Sequence, residues 1–265
     1  MAAGSIAEIN AWEEGDGAPP VLCLHETGAT SEVWRPLAAA LAGAGARAIA
    51  YDRPGWGRSA ATDTYVRTTV GEQAAIAAAV LDEHGAGPAV VCGAGVGAIA
   101  ALELALRRPE LVLGSVMVEP PLLAFVPEAT EALSGAAELV RAAVADGGRD
   151  EALAAYLAGG LGILSAGAER IPPAARSHGP GAVRALFAEL AAVPAWELPL
   201  PDLASAAMPS AIVTGADTAL ELRKAARGLN AALARSELRD VGPGLPHHDH
   251  ATDLAALAIE VAEAA

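Results

Sequence analysis

Three stretches of the sequence carry residues able to do chemistry. "VVCGAGVGA" (90–98) is an apolar run that turns through alternating glycines into the helical pattern "IAALELALRR". Strand, tight turn and helix commonly frame a functional group, yet the middle residue here, Gly95, has no side chain. The residues alone allow two readings of this turn. Gly93-x-Gly95-x-x-Ala98 ahead of a helix fits a dinucleotide fingerprint, with Glu119, at the end of the next strand, placed as a ribose-binding carboxylate. Alternatively, the glycines serve close helix–strand packing and a positive φ at the bend. The second stretch, "VGPGLPHHDHATDL", groups His247, His248 and His250 around Asp249. That spacing suits a metal site, but the expectation is a solvated or capping cluster with no metal. The third stretch, "VLCLHETG", closes an apolar run on His25 and Glu26.

The elements that must position these residues alternate. "VLCLH" (21–25), "ARAIAYD" (46–52), "PAVVCG" (88–93) and "LGSVMVE" (113–119) read as strands, separated by helices from about Trp34, Val70 and Val96. This order predicts a parallel sheet with crossover helices. "SIAEINAWEEG" predicts an antiparallel strand or hairpin ahead of it. Residues 120–207 change to helical segments broken by Gly and Pro, including "TEALSGAAELVRAAVADGG" and "EALAAYLAGGLG". "PSAIVTGAD" (209–217), a helix, "SELRDVG" (236–242) and a last helix from about Thr252 restore the alternation. The expected architecture is an α/β core of residues 1–119 and 208–265, with 120–207 as a helical cap over the carboxyl edge of the sheet, where open α/β sheets bind ligands.

With 265 residues the chain can bury a sizeable core, and 3% aromatic against 53% hydrophobic residues predicts an aliphatic, alanine-rich one. A net charge of −15 without a basic run argues against nucleic acid as a partner. No stretch has the length and continuity of a bilayer span, and the first residues lack a signal-peptide pattern, which together predict a soluble cytoplasmic protein away from the membrane. Cys23 and Cys92 lie inside apolar runs and read as reduced, packed thiols. Association into a homo-oligomer is left open.

"VLCLHETGATSEVWRPLAAAL" resembles the strand, His-Gly loop and first helix of the α/β-hydrolase superfamily, and "AIAYDRPGWGRS" is similar to that family's D-x-x-G-x-G-x-S turn. With "VVCGAGVGA", "VEPPLL" and "PSAIVTGAD" the resemblance runs over nearly the whole chain. It implies an α/β-hydrolase fold, a mostly parallel sheet flanked by helices with a helical cap. It also makes the turn at Gly95 the family's nucleophile elbow, where Ser, Asp or Cys is usual, so an acyl-enzyme mechanism through that residue is excluded.

The family's other positions depart as well. Its acid falls on Thr218, with Asp217 one residue early and readable as a turn or helix N-cap. Its histidine falls near Gly244, with His247 three residues later. Its His-Gly becomes His25-Glu26, which puts a carboxylate beside the site. A Glu in an apolar cleft can act as a general acid or base; a solvated carboxylate or an Arg partner is the structural alternative. Glu119 lies where some members place the triad acid, or else orients a loop.

The resemblance therefore implies Glu26, His247 and Glu119 as candidate catalytic groups. It implies substrate contacts from His25, Thr27, Trp34, Gly95, Val96 and Pro120, with the Val96 and Thr27 N–H groups as oxyanion donors and "LLAFV" and "LGIL" as apolar walls. His25 also reads as a brace for its loop, Cys92 as packed, and Trp34 and Trp56 as packing residues. Two functions fit: a cofactor-free acid–base enzyme (lyase, cyclase, isomerase or water-attack hydrolase) acting on a small apolar carbonyl compound, or a pseudoenzyme that binds a ligand or partner. A nicotinamide or flavin enzyme is the remote third.

Overall fold

Short apolar runs buried on both faces are what a parallel sheet requires, because crossover helices cover each side. The computed structural model, which describes residues 9–59, 65–126, 128–198 and 200–265, forms such a sheet. Its strands are β1 (Ala11–Glu14), β2 (Pro20–Leu24), β3 (Arg47–Tyr51), β4 (Ala89–Ala94), β5 (Val112–Val118), β6 (Ser210–Gly215) and β7 (Ser236–Val241). They lie in the order β1-β3-β2-β4-β5-β6-β7, with only β1 antiparallel to its neighbour. The part of "SIAEINAWEEG" before Ile9 lies outside the described residues.

The helices are α1 (Arg35–Gly43), α2 (Val70–Glu83), α3 (Val96–Arg107), α4 (Ala129–Leu157), α5 (Pro180–Ala192), α6 (Leu200–Ser205), α7 (Leu220–Ala232), α8 (Pro246–Asp249) and α9 (Ala251–Glu263). Alternation along β2 assigns the two faces: Val21 and Cys23 pack with α1 and α9, Leu22 and Leu24 with α2 and α3. Cys23 and Cys92 are register partners on adjacent strands, free and buried. Burial pushes both thiols up, Cys92 to about 12, so neither is a nucleophile at neutral pH.

Within 120–207 the described residues hold α4, α5, α6 and short 3₁₀ turns. The two helical segments read from the sequence are joined as α4, whose backbone leaves helical geometry at Gly147 and Gly148. In the histidine segment Pro246 opens a one-turn helix, and Asp249 accepts the Leu245 N–H at 2.7 Å. No single helix among the described residues is long and apolar enough to cross a membrane.

From β2 the chain crosses to β3 on one side and from there to β4 on the other, so the carboxyl ends of β2 and β4 border a crevice at the point where strand order reverses. Glu26 leaves the first of these ends and Gly95 the second.

Candidate active site

Gly95 joins β4 to α3 at φ 52°, ψ −123°, a conformation that strains any residue with a Cβ. Its neighbours serve packing: a Cβ on Gly93 would lie 2.3 Å from the Gly97 carbonyl oxygen, and one on Gly97 2.2 Å from that of Leu24. Gly95 differs, because the atom its Cβ would meet is a side-chain atom, Glu26 Cβ at 2.9 Å. Glu26 thus fills the space in front of the turn.

Above the turn lies a cavity of about 560 Å³. Its walls are apolar, drawn from both stretches named in the sequence (Leu122, Leu123, Ile163 and Leu164) and from α5 and its exit. Three carboxylates line it, Glu26, Glu119 and Glu189, and their partners separate them. Glu119 binds Arg170 at 2.6 Å through one oxygen and the Thr218 hydroxyl through the other. Glu189, on α5, receives Arg53 at 2.5 and 3.1 Å, the Trp56 indole N–H at 2.7 Å and the Thr27 hydroxyl. Among the described residues the one side chain within ion-pair distance of Glu26 is His247, whose Nε2 stands 3.2 Å from Oε2, near enough for charge interaction but poorly aligned for a hydrogen bond. Burial by itself raises the Glu26 pKa; the charge and contact of His247, with the residue's own N–H, outweigh it and hold the carboxyl below its usual range.

His247 is buried, and its ring lies 4.4 Å from that of Trp34, tilted by 41°. Nδ1 has no hydrogen-bond partner among the described residues. Neither acid proposed from the sequence as its orienting partner reaches it. Glu119 is taken by Arg170 and Thr218, which also leaves no free carboxylate for a ribose. Asp217 accepts the Gly244 N–H at 3.1 Å and lies 3.4 Å from Arg170. It is not a helix N-cap, since α7 starts after Ala219. Arg170 also donates to the Gly244 carbonyl at 2.7 Å, so one guanidinium from the inserted segment ties the ends of β5, β6 and β7 together.

Of the expected substrate contacts, Thr27, Gly95 and Val96 line the cavity, and His25, Trp34 and Pro120 do not. His25 is fully buried: Nδ1 donates to the Glu26 carbonyl at 2.7 Å and Nε2 accepts the Arg53 N–H at 2.9 Å. Burial, then the Arg53 charge, lowers its pKa to about 4, so it is a neutral brace. Trp34 is fully buried under the His247 ring, and Pro121, not Pro120, reaches the cavity. His248 pairs with Asp249 at 2.8 Å and His250 contacts the Pro243 carbonyl at 2.9 Å, so neither joins His247.

Four polar residues at the site were not singled out from the sequence: Arg53, Tyr156, Arg170 and Glu189. The only signal for Glu189 is that it is the one acid in the apolar helix "PGAVRALFAELAA". Tyr156 offers the comparable signal of being the one tyrosine between residues 120 and 207.

The fold and this crevice define a class. A family model for the alpha/beta hydrolase fold matches residues 19–152, and the chain belongs to that family. Solved structures agree on the fold. A hydrolase from Pseudomonas aeruginosa PA01 is similar at TM-score 0.75 and 19% identity, over 98% of this chain and 96% of that one. An alpha/beta hydrolase from Sphaerobacter thermophilus DSM 20745 is similar at 0.70 and 23%, over 96% and 95%. A thermophilic esterase from Thermogutta terrifontis is similar at 0.70 and 16%, over 95% and 92%. No curated protein matches the chain by sequence.

Proposed function

We propose that this α/β-hydrolase-fold protein is a cofactor-free acid–base enzyme acting on a small apolar carbonyl compound, with Glu26 as proton acceptor and His247 as the group that relays the proton. One observation carries the reading. Among the described residues, Glu26 alone of the three cavity carboxylates has no arginine or hydroxyl partner, its buried oxygens facing the His247 ring at 3.2 Å. His247 holds the carboxyl ionised and ready to take a proton, and carboxylates perturbed in this way concentrate where chemistry needs them. In this reading Gly95 stands at the elbow in place of a nucleophile, and the Glu26 side chain occupies the space that a nucleophile's Cβ would need. The first N–H groups of α3 have no intrahelical partner, and with the Thr27 N–H they face the charge that develops on a carbonyl oxygen.

The test is deuterium exchange into the methyl group of 2-acetylnaphthalene in D₂O, followed by NMR. Wild-type protein exchanges it, and Glu26→Gln slows exchange about 100-fold or more, the usual range for a positioned base. Unchanged exchange in Glu26→Gln removes Glu26 from the chemistry.

One observation favours a second reading, a ligand-binding module without catalysis: His247 Nδ1 lacks the acid that would orient a working base. Binding of 2-acetylnaphthalene with no exchange in the wild type selects it.

A further inference from the structure

The polar atoms of the cavity are not confined to Glu26 and His247. Tyr156, on α4, is 7% exposed and lines the same cavity. Its ring is held against the loop that carries Glu26. Gly28, at φ 87°, would place a Cβ 3.2 Å from the Tyr156 Cε1 atom and 2.9 Å from Leu157 Cδ2, so the glycine admits the ring. The Thr27 side chain stands beside the Tyr156 phenol. Thr27 gives its single proton to Glu189, so toward the phenol its oxygen can only accept. Glu189 is in turn fixed by Arg53 and Trp56. The phenol therefore borders the cavity beside an anchored Thr27–Glu189 pair, with a proton that an entering oxygen can take.

We propose that Tyr156 is a further catalytic residue, the donor that receives the substrate's carbonyl oxygen from the inserted helical segment. The inference rests on the acid–base reading above. In the step it serves, Glu26 takes a proton from the carbon next to the carbonyl. The C–H electron pair moves into the new C=C bond, the carbonyl π pair goes to oxygen, and the Tyr156 O–H hydrogen-bonds to that enolate oxygen. Reversal returns the proton, and no other reactant is needed. Burial, with the charges of Glu189 and Glu26, raises the phenol's pKa and keeps it protonated for this role. The substrate class is a neutral, apolar ketone, ester or lactone with an acidic α-hydrogen. The cavity volume is within the range that suits such molecules.

Two probes of equal shape test it: 2-acetylnaphthalene, with the carbonyl oxygen, and 2-isopropenylnaphthalene, with CH₂ in its place. Wild-type protein binds the ketone more tightly than the alkene, and Tyr156→Phe reduces that ratio about three- to tenfold, as the loss of one hydrogen bond requires. Alkene affinity is unchanged in the variant, which reports an intact fold. A ratio that survives Tyr156→Phe, or a wild type that binds both probes equally, overturns the Tyr156 assignment alone; a wild type that binds neither overturns it together with the acid–base reading. Full methyl exchange in Glu26→Gln with the ratio still sensitive to Tyr156→Phe overturns the acid–base reading and, with it, the catalytic role given to Tyr156, leaving a binding contact.

Discussion

Installing serine at position 95 separates the family's usual chemistry from the arrangement this chain has. Backbone strain at φ 52°, ψ −123° costs a side-chain-bearing residue about 1–3 kcal/mol. The new Cβ would also stand 2.9 Å from Glu26 Cβ, and relieving that overpacking costs about 1–3 kcal/mol more. Gly95→Ser alone therefore destabilises the fold by roughly 2–6 kcal/mol. Glu26→Gly removes the obstructing Cβ, so in that background only the strain remains. A four-protein cycle of wild type, Gly95→Ser, Glu26→Gly and the double variant, unfolded in urea, isolates a coupling energy of about 1–3 kcal/mol, larger than the few tenths expected of independent sites. The intrinsic penalty of the new glycine cancels in the cycle. Additive effects, within about 0.5 kcal/mol, would refute the claim that Glu26 occupies the elbow's space. Hydrolysis of p-nitrophenyl butyrate is expected only from the double variant, where the serine has room beside His247.

Further outcomes follow from the buried groups. The folded-state pKa of His25 is depressed from 6.5 to about 4, so between these values the unfolded chain binds a proton that the native one refuses. Stability therefore rises with pH through that window, by roughly 3 kcal/mol at most, and thermal midpoints measured from pH 4 to 7 should flatten in His25→Gln. Arg170→Met leaves Glu119 without its cation and should lower stability by about 2–4 kcal/mol by urea titration, with faster proteolysis within residues 120–207. Glu189→Gln loses charge opposite the fully buried Arg53 and should cost about 3–5 kcal/mol in the same assay; a loss under 1 kcal/mol would contradict the pairing described.

The strands were legible because each is a separate apolar run ending in turn residues, as in "PAVVCG" for β4 and "PSAIVTGAD" for β6. Glu26 was legible for a local reason: it ends the β2 run, and its neighbourhood follows from the strand order. His247 was singled out by its place near the family's histidine position, and the reason it differs from His248 and His250 lies in the course of α8, which turns one ring inward against Trp34 and leaves the others to Asp249 and Pro243. Arg170 and Glu119 meet across 51 positions, and Glu189 and Arg53 across 136. Such pairs depend on how α4 and α5 settle over the sheet, which periodicity does not specify. Glu119 and Asp217 read as candidate orienting acids because they lie at or next to the family's acid positions; the sequence carried no sign that Arg170 would claim them.

The central claim, that an incompletely paired Glu26 carboxylate does the proton transfer, is tested most directly by the rate of methyl exchange in 2-acetylnaphthalene with wild-type and Glu26→Gln protein at equal ketone saturation. A fall of about 100-fold or more is expected, with a thermal midpoint below that of the wild type, since the His247 contact that holds the carboxyl ionised is lost. A rate within about threefold of the wild type, well short of a general base's contribution, would contradict it.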